Sequence, residues 1–246
     1  MRLFYQRFPI FQTASRKLSW SHYVEIISID NELERNFYYN QSIKDAWSIR
    51  ELKRQKESGL FLRLGLSKNK KQILEMSKTG QNIQKAEDVV KDTYILEFLK
   101  VPEPYIISET ELETKIINNL QNFLLELGKG FALFGRQYRM TINNTNYYAD
   151  LVFYHVILKC YVVIDLKIGK VTHEDIGQMN MYLGYFALDK NTKGDNKPIG
   201  IILAQEKNDV MVKYATYGMD SKLFVSKYQL YLPNIEELRA IIASKT

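Results

Sequence analysis

The chain has 246 residues, 46% hydrophobic and 25% charged, which excludes a disordered or fibrous protein and sets the scale at one large domain or two small ones. Its net charge of +6 lies entirely in residues 1–100, where 18 basic residues face 12 acidic ones, while residues 101–246 carry 16 of each. No apolar run approaches the 18 or so residues of a membrane span, Arg2, Arg7 and Pro9 interrupt any signal-peptide core, and the single cysteine, Cys160, rules out an internal disulfide framework.

A cytoplasmic protein with no membrane partner is therefore expected. The basic half is a candidate surface for a polyanion such as nucleic acid. Its pattern is helical. Trp20 to Ile29 is apolar with polar interruptions, and Asn31 to Trp47 follows. Ser48-Ile49-Arg50-Glu51 then reads as a capping box with Ser48 at the N-cap and Glu51 at N3. The helix it opens carries Arg50, Lys53, Arg54 and Lys56, the candidate DNA contacts, and stops at Gly59. Two helices joined by a short turn resemble a helix-turn-helix, although two capped helices that merely pack together give the same pattern.

Pro102 and Pro104 forbid a continuing helix and mark the best boundary, between residues 100 and 101. Glu109 to Leu127 then reads as one helix closed by Gly128 and Gly130. Strand-like runs cover Phe131 to Ile142, Tyr147 to His155 and Lys159 to Ile168, with a hairpin turn at Asn143-Asn144. A helix from about Glu174 to Leu188, a strand from Pro198 to Ala204, a helix over Asp209 to Tyr217, a strand over Leu223 to Tyr231 and an amphipathic helix over Ile235 to Ala243 complete the chain. This order predicts a mixed sheet flanked by helices.

Chemistry gathers in the strands. In Tyr161-Val162-Val163-Ile164-Asp165-Leu166-Lys167-Ile168, the charged residues two apart share one face of the strand and the aliphatic ones share the other. An acidic residue two before a lysine occurs five times, at Glu51, Glu113, Asp165, Asp195 and Asp220, but only Asp165 lies on an apolar strand. An edge-strand salt bridge would have the same spacing. Asp150, in Tyr147-Tyr148-Ala149-Asp150-Leu151-Val152-Phe153, changes the weighting, because adjacent strands can set Asp150 beside Asp165. Like charges there require a proton or a cation between them, and Mg²⁺ is content with two protein carboxylates and several waters.

Further candidates surround this pair. Glu113 lies in line with Ile116, Ile117, Leu120, Leu124 and Leu127, a buried stripe on which a carboxylate needs a partner. Gln178 and Tyr182 are one turn apart on the following helix. Lys170 is a candidate phosphate contact, and His173 precedes the same helix. For Arg136 and Gln137, phosphate contact and sheet packing are equally open. His155 reads as a structural hydrogen-bonder and Cys160 as a small core residue. No Walker loop or dinucleotide fingerprint is present.

Glu113, Asp150, Asp165-Leu166-Lys167 and Gln178, in helix-strand-strand-strand-helix-strand order, resemble the PD-(D/E)XK nuclease superfamily. Longer stretches resemble the bacterial YhcG-type nuclease family: Phe123-Leu124-Leu125-Glu126-Leu127-Gly128, Gly135-Arg136-Gln137-Tyr138, Asp150-Leu151-Val152-Phe153-Tyr154-His155 and Gly177-Gln178-Met179. Leu18-Ser19-Trp20-Ser21-His22-Tyr23 and Trp47-Ser48-Ile49-Arg50-Glu51-Leu52 resemble its N-terminal motifs. Two departures stand out. The N-terminal half starts late relative to the family, and Asp165 stands where the family more often has Glu.

The resemblance implies an α+β protein. A helical, winged-helix-like DNA-binding domain over 1–100 would precede a restriction-endonuclease-like α/β domain with a mixed central sheet over 101–246. It further implies a metal-dependent DNA nuclease. Asp150, Asp165 and Glu113 would hold Mg²⁺ or Mn²⁺, Lys167 would be the catalytic lysine, and Gln178 with Tyr182 an accessory pair. The competing reading is a DNA-binding or scaffold protein whose nuclease-like half is idle. DNA is the expected partner, and both monomer and homo-oligomer stay open.

Overall fold

The computed structural model describes residues 17–66, 68–102, 104 and 107–244, so Arg2, Arg7 and Pro9 lie outside the described residues. The chain forms two compact units, one of residues 1–82 with 232–246 and one of residues 83–231. Among the described residues no helix is long and apolar enough to cross a membrane.

The first unit is helical: α1 (Trp20–Ile27), α2 (Glu32–Lys44), α3 (Ile49–Glu57), α4 (Leu60–Leu66) and α5 (Lys70–Thr79), with no strand among its described residues. Ser48 caps α3 by accepting a hydrogen bond from Glu51 N–H at 3.2 Å. Phe37, Tyr38, Leu52, Phe61 and Ile73 build its core. A sixth helix from the far end of the chain, numbered α11 below (Ile235–Ala243), completes that core with Ile235, Leu238 and Ile242. Gly59, at a φ of +65°, allows this docking: a Cβ there would sit 2.8 Å from Ile235 Cδ1.

The second unit opens with the short α6 (Ala86–Val89) and a three-residue strand, β1 (Thr93–Ile95). Then come α7 (Glu109–Asn118), α8 (Leu120–Leu127), β2 (Phe131–Ile142), β3 (Thr145–His155), β4 (Cys160–Lys170), α9 (His173–Tyr185), β5 (Ile199–Glu206), α10 (Asp209–Ala215) and β6 (Lys222–Gln229). The six strands form one sheet in the order β1-β6-β5-β4-β3-β2. The β2–β3 and β3–β4 pairs are antiparallel, and the β4–β5, β5–β6 and β1–β6 pairs parallel. Asn143 and Asn144, both with positive φ, make the two-residue turn between β2 and β3, as the right-handed strand twist favours.

Each sheet face is covered. Leu112, Ile116, Phe123 and Leu127 of α7 and α8 pack on Leu151, Phe153, Ile164 and Leu166. On the other face, Ile176, Met179, Tyr182 and Leu183 of α9 pack on Val152, Val163 and Ile202. Burial on both sides explains the unbroken apolar run of β5. Close approach of α9 requires Gly200, where a Cβ would meet the Met179 side chain at 2.8 Å.

The structure departs from the sequence pattern at three places. The helix expected over Glu109–Leu127 breaks at Asn119, whose backbone N–H is shared between Lys115 O and Ile116 O at 3.1 Å each, the tightened geometry of a helix end. The helix expected to reach Leu188 is α-helical only to Tyr185 and continues as a π-helical turn over Phe186–Lys190. The compact units divide near residue 82 rather than at the prolines, because β1 pairs with β6 and Tyr94 and Leu96 enter the core of the second unit. The C-terminal helix, by contrast, packs with the helical unit.

Candidate active site

The β3–β4 ladder ends where Leu151 faces Ile164, so Asp150 and Asp165 are the residues next to that last pair on neighbouring strands. Strand alternation turns Asp165 and Lys167 away from the core that takes Ile164 and Leu166. Asp165 is only 5% exposed. Its Oδ2 lies 3.1 Å from Lys167 Nζ. Asp150 is held on both oxygens: Leu166 N–H donates to Oδ2 at 2.8 Å and the Gln137 amide donates to Oδ1 at 3.0 Å.

Burial and the neighbouring charge of Asp150 push the Asp165 carboxyl up to about 7, against the pull of Lys167. Asp150 is also raised by burial, while the Leu166 N–H and the Gln137 amide draw it back. The Lys167 ammonium is partly desolvated, yet Asp165, Glu109 and Asp175 hold its pKa above the ordinary lysine range. These neighbours favour its charged form.

Neighbouring elements complete the cluster. The Gln137 amide donates to Glu113 Oε2 at 2.5 Å as well as to Asp150, so one side chain joins both carboxylates. Glu113 Oε1 is buried and accepts no hydrogen bond, with Arg136 Nη2 3.5 Å away. Gln178 Nε2 donates to Tyr182 Oη at 2.6 Å, and Tyr182 donates in turn to Tyr148 O at 3.0 Å. Burial, then Asp165, pushes the Tyr182 phenol up to about 12, so it keeps its proton.

Two contributors are not among the sequence candidates, Asp175 and Glu109. Asp175 caps α9 by accepting from Thr172 N–H at 2.8 Å, and its other oxygen lies 3.5 Å from Lys167 Nζ. Thr172-x-x-Asp175 is a readable capping signal. Glu109, at the start of α7, accepts from Ile168 N–H at 3.0 Å. Gln137, for which the sequence allows phosphate contact or sheet packing, instead bonds two carboxylates; a glycine two residues earlier in a strand is the available cue to a local bulge.

The candidate DNA contacts are dispersed. Lys53 and Lys56 both pair with Glu25 of α1, at 3.3 and 2.6 Å, and the Glu25 carboxyl is held low mainly by Lys56. Arg50 is exposed and Arg54 half-buried. Lys170 is exposed and lies 3.6 Å from Glu206. His173 is exposed at the start of α9. His155 is fully buried, accepting from Leu158 N–H at 3.1 Å and lying 3.1 Å from Lys129 O.

Among the described residues no three His, Cys, Asp or Glu side chains come together as a metal cage. The donor set nevertheless fits a hard divalent cation. Two neighbouring carboxylates of raised proton affinity and a buried Glu113 oxygen that accepts no hydrogen bond leave an excess of acceptors, and Mg²⁺ needs only one or two protein carboxylates beside its waters.

Residues 87–242 match the family described as the YhcG PDDEXK nuclease domain, and residues 1–63 match the DUF1016 N-terminal domain. YhcG of Escherichia coli (strain K12) is 36% identical over 232 residues, covering 93% of this chain and 61% of its own length. Among solved structures, a repair endonuclease from Pyrococcus abyssi is 21% identical over 54% of this chain and 50% of that one, with a TM-score of 0.37. EndoMS in its apo form is 19% identical over 52% and 48%, with a TM-score of 0.34. With one family covering the whole sheet and its paired aspartates, and a relative more than one-third identical over nearly the whole chain, this protein belongs to the YhcG PDDEXK nuclease family.

Proposed function

We propose that the protein is a metal-dependent deoxyribonuclease that hydrolyses phosphodiester bonds at the Asp150–Asp165–Lys167 cluster. The observation that carries this reading is the buried Asp165 with the half-buried Asp150 on the neighbouring strand and the Lys167 ammonium 3.1 Å from Asp165 Oδ2. Asp150 and Asp165, with Glu113 on the rim, would hold Mg²⁺ or Mn²⁺, which supplies Lewis acidity and positive charge at the phosphate. Lys167, braced by Asp165 and Asp175, stabilises charge developing on the phosphoryl oxygens. Gln178 and the protonated Tyr182 serve as orienting hydrogen-bond groups. The helical unit binds DNA through its basic surface, and residues 83–231 carry the chemistry.

Purified protein incubated with plasmid and linear DNA should cleave with Mg²⁺ or Mn²⁺ and stop when EDTA is added. Absence of metal-dependent cleavage alongside intact DNA binding supports the scaffold reading instead. Binding itself should weaken steeply with salt as phosphate contacts release counterions. Arg50→Glu should lower affinity for all sequences and reduce the salt slope by about one or more. An unchanged slope in fluorescence anisotropy titrations would show that α3 faces solvent and not DNA.

A further inference from the structure

Gln137 is unusual in its backbone. The other described non-glycine residues with positive φ, Ala46, Lys100, Asn143, Asn144 and Lys159, lie outside helices and strands, whereas Gln137 lies inside β2 at +40°. The β2–β3 register slips just before it, from Leu133 opposite Phe153 to Gly135 opposite Val152, so Phe134 is an extra residue. A bulge re-aims the side chains that follow it. Here it is followed by a residue held in a sparsely populated conformation, a combination that concentrates at functional sites.

That side chain reaches Glu113 Oε2 at 2.5 Å and Asp150 Oδ1 at 3.0 Å through one nitrogen. A divalent cation bridging those two oxygens would lie about 2.0–2.6 Å from each. Nitrogen and cation therefore claim the same space. We propose that Gln137 is a plug in the metal site, its amide standing in for a divalent cation between Glu113 and Asp150 and leaving when the cation binds. The proposal rests on the reading of these carboxylates as metal ligands. The amide's two N–H groups hold the carboxylates together in the metal-free protein, and this stabilisation is lost on metal entry. Gln137 is thus a positioning residue that sets the metal concentration at which the enzyme switches on.

The test is calorimetric titration of Mn²⁺ into the full chain without DNA, for wild type, Gln137→Ala and Gln137→Gly. Alanine keeps the backbone strain while removing the amide; glycine also relieves the strain and secures a folded variant. Both should bind Mn²⁺ about tenfold more tightly, the scale of a lost hydrogen bond to a charged group. Both should also show a larger Mn²⁺-induced rise in melting temperature than wild type. Wild-type binding that is unchanged or weakened in the folded variants overturns the plug while leaving the nuclease reading intact. Binding by the variants but not by wild type supports it. No Mn²⁺ binding by any of the three sinks the metal reading and the plug together.

Discussion

Asp165→Asn is expected to abolish metal-dependent cleavage and, at the same time, to make the metal-free protein more stable. The substitution keeps the shape and leaves an oxygen to accept from Lys167, but removes the charge that attracts the cation. Loss of such a group costs two or more orders of magnitude in rate. The gain in stability comes from the folded-state proton affinity. Because the Asp165 carboxyl is raised from 3.8 to about 7, the folded protein binds more protons than the unfolded chain between these values. Wild-type stability should therefore be greatest below about pH 4 as far as this group is concerned, and fall as pH rises toward 7. Asparagine removes that decline, worth up to about 4 kcal/mol at neutral pH. Thermal melts from pH 4.5 to 8 should show the two proteins diverging with pH, and Mg²⁺ should raise the melting temperature of wild type alone. A variant that is less stable than wild type at pH 8 without metal refutes the buried-pair account, and undiminished cleavage by it refutes the mechanism.

Lys91→Met is expected to destabilise the second unit severely. Lys91 is 7% exposed and donates through Nζ to Glu126 O and, at 3.2 Å, to the fully buried Glu126 Oε1. Ile95 N–H donates to the same carboxylate oxygen at 3.1 Å, so the pair ties α8 to β1. Removing one member of a buried ion pair strands the other charge and costs about 3–5 kcal/mol. Urea unfolding should show this as a large drop in midpoint. Adding Glu126→Gln should recover at least half of the loss, since glutamine still accepts from Ile95 N–H without carrying charge. A single variant within about 0.5 kcal/mol of wild type, the range of a surface substitution, would show that the pair contributes little.

The long hairpin and the strand after it were legible because their period is strict and their turn chemistry explicit. Asn-Asn at 143–144 supplies two positive φ values at the point where the alternation reverses. Asp165 and Lys167 stood out for a related reason: charge in an apolar strand is expensive, so a charged pair there needs an account. What escaped notice depends on distant contacts or local irregularities. β1 has only three residues and takes its stability from β6, more than 120 positions later. The break at Asn119 is a local tightening in which one N–H is shared between Lys115 O and Ile116 O, and an uninterrupted apolar stripe does not announce it. Gln137 acquires its place through a register slip that shifts the following residues along β3 by one, and no periodicity announces a slip of that kind.

The return of α11 to the helical unit has a consequence for assembly during synthesis. The sheet unit is a continuous stretch, 83–231, and holds all six strands, so it can fold as soon as β6 has left the ribosome. The helical unit has to wait. Its core lacks Ile235, Leu238 and Ile242 until α11 is made, and closing it spans the whole folded insertion. For a flexible chain that closure grows costlier with the logarithm of the loop length. Splitting the protein at residue 82 would therefore remove Ile235, Leu238 and Ile242 from the core of the first piece.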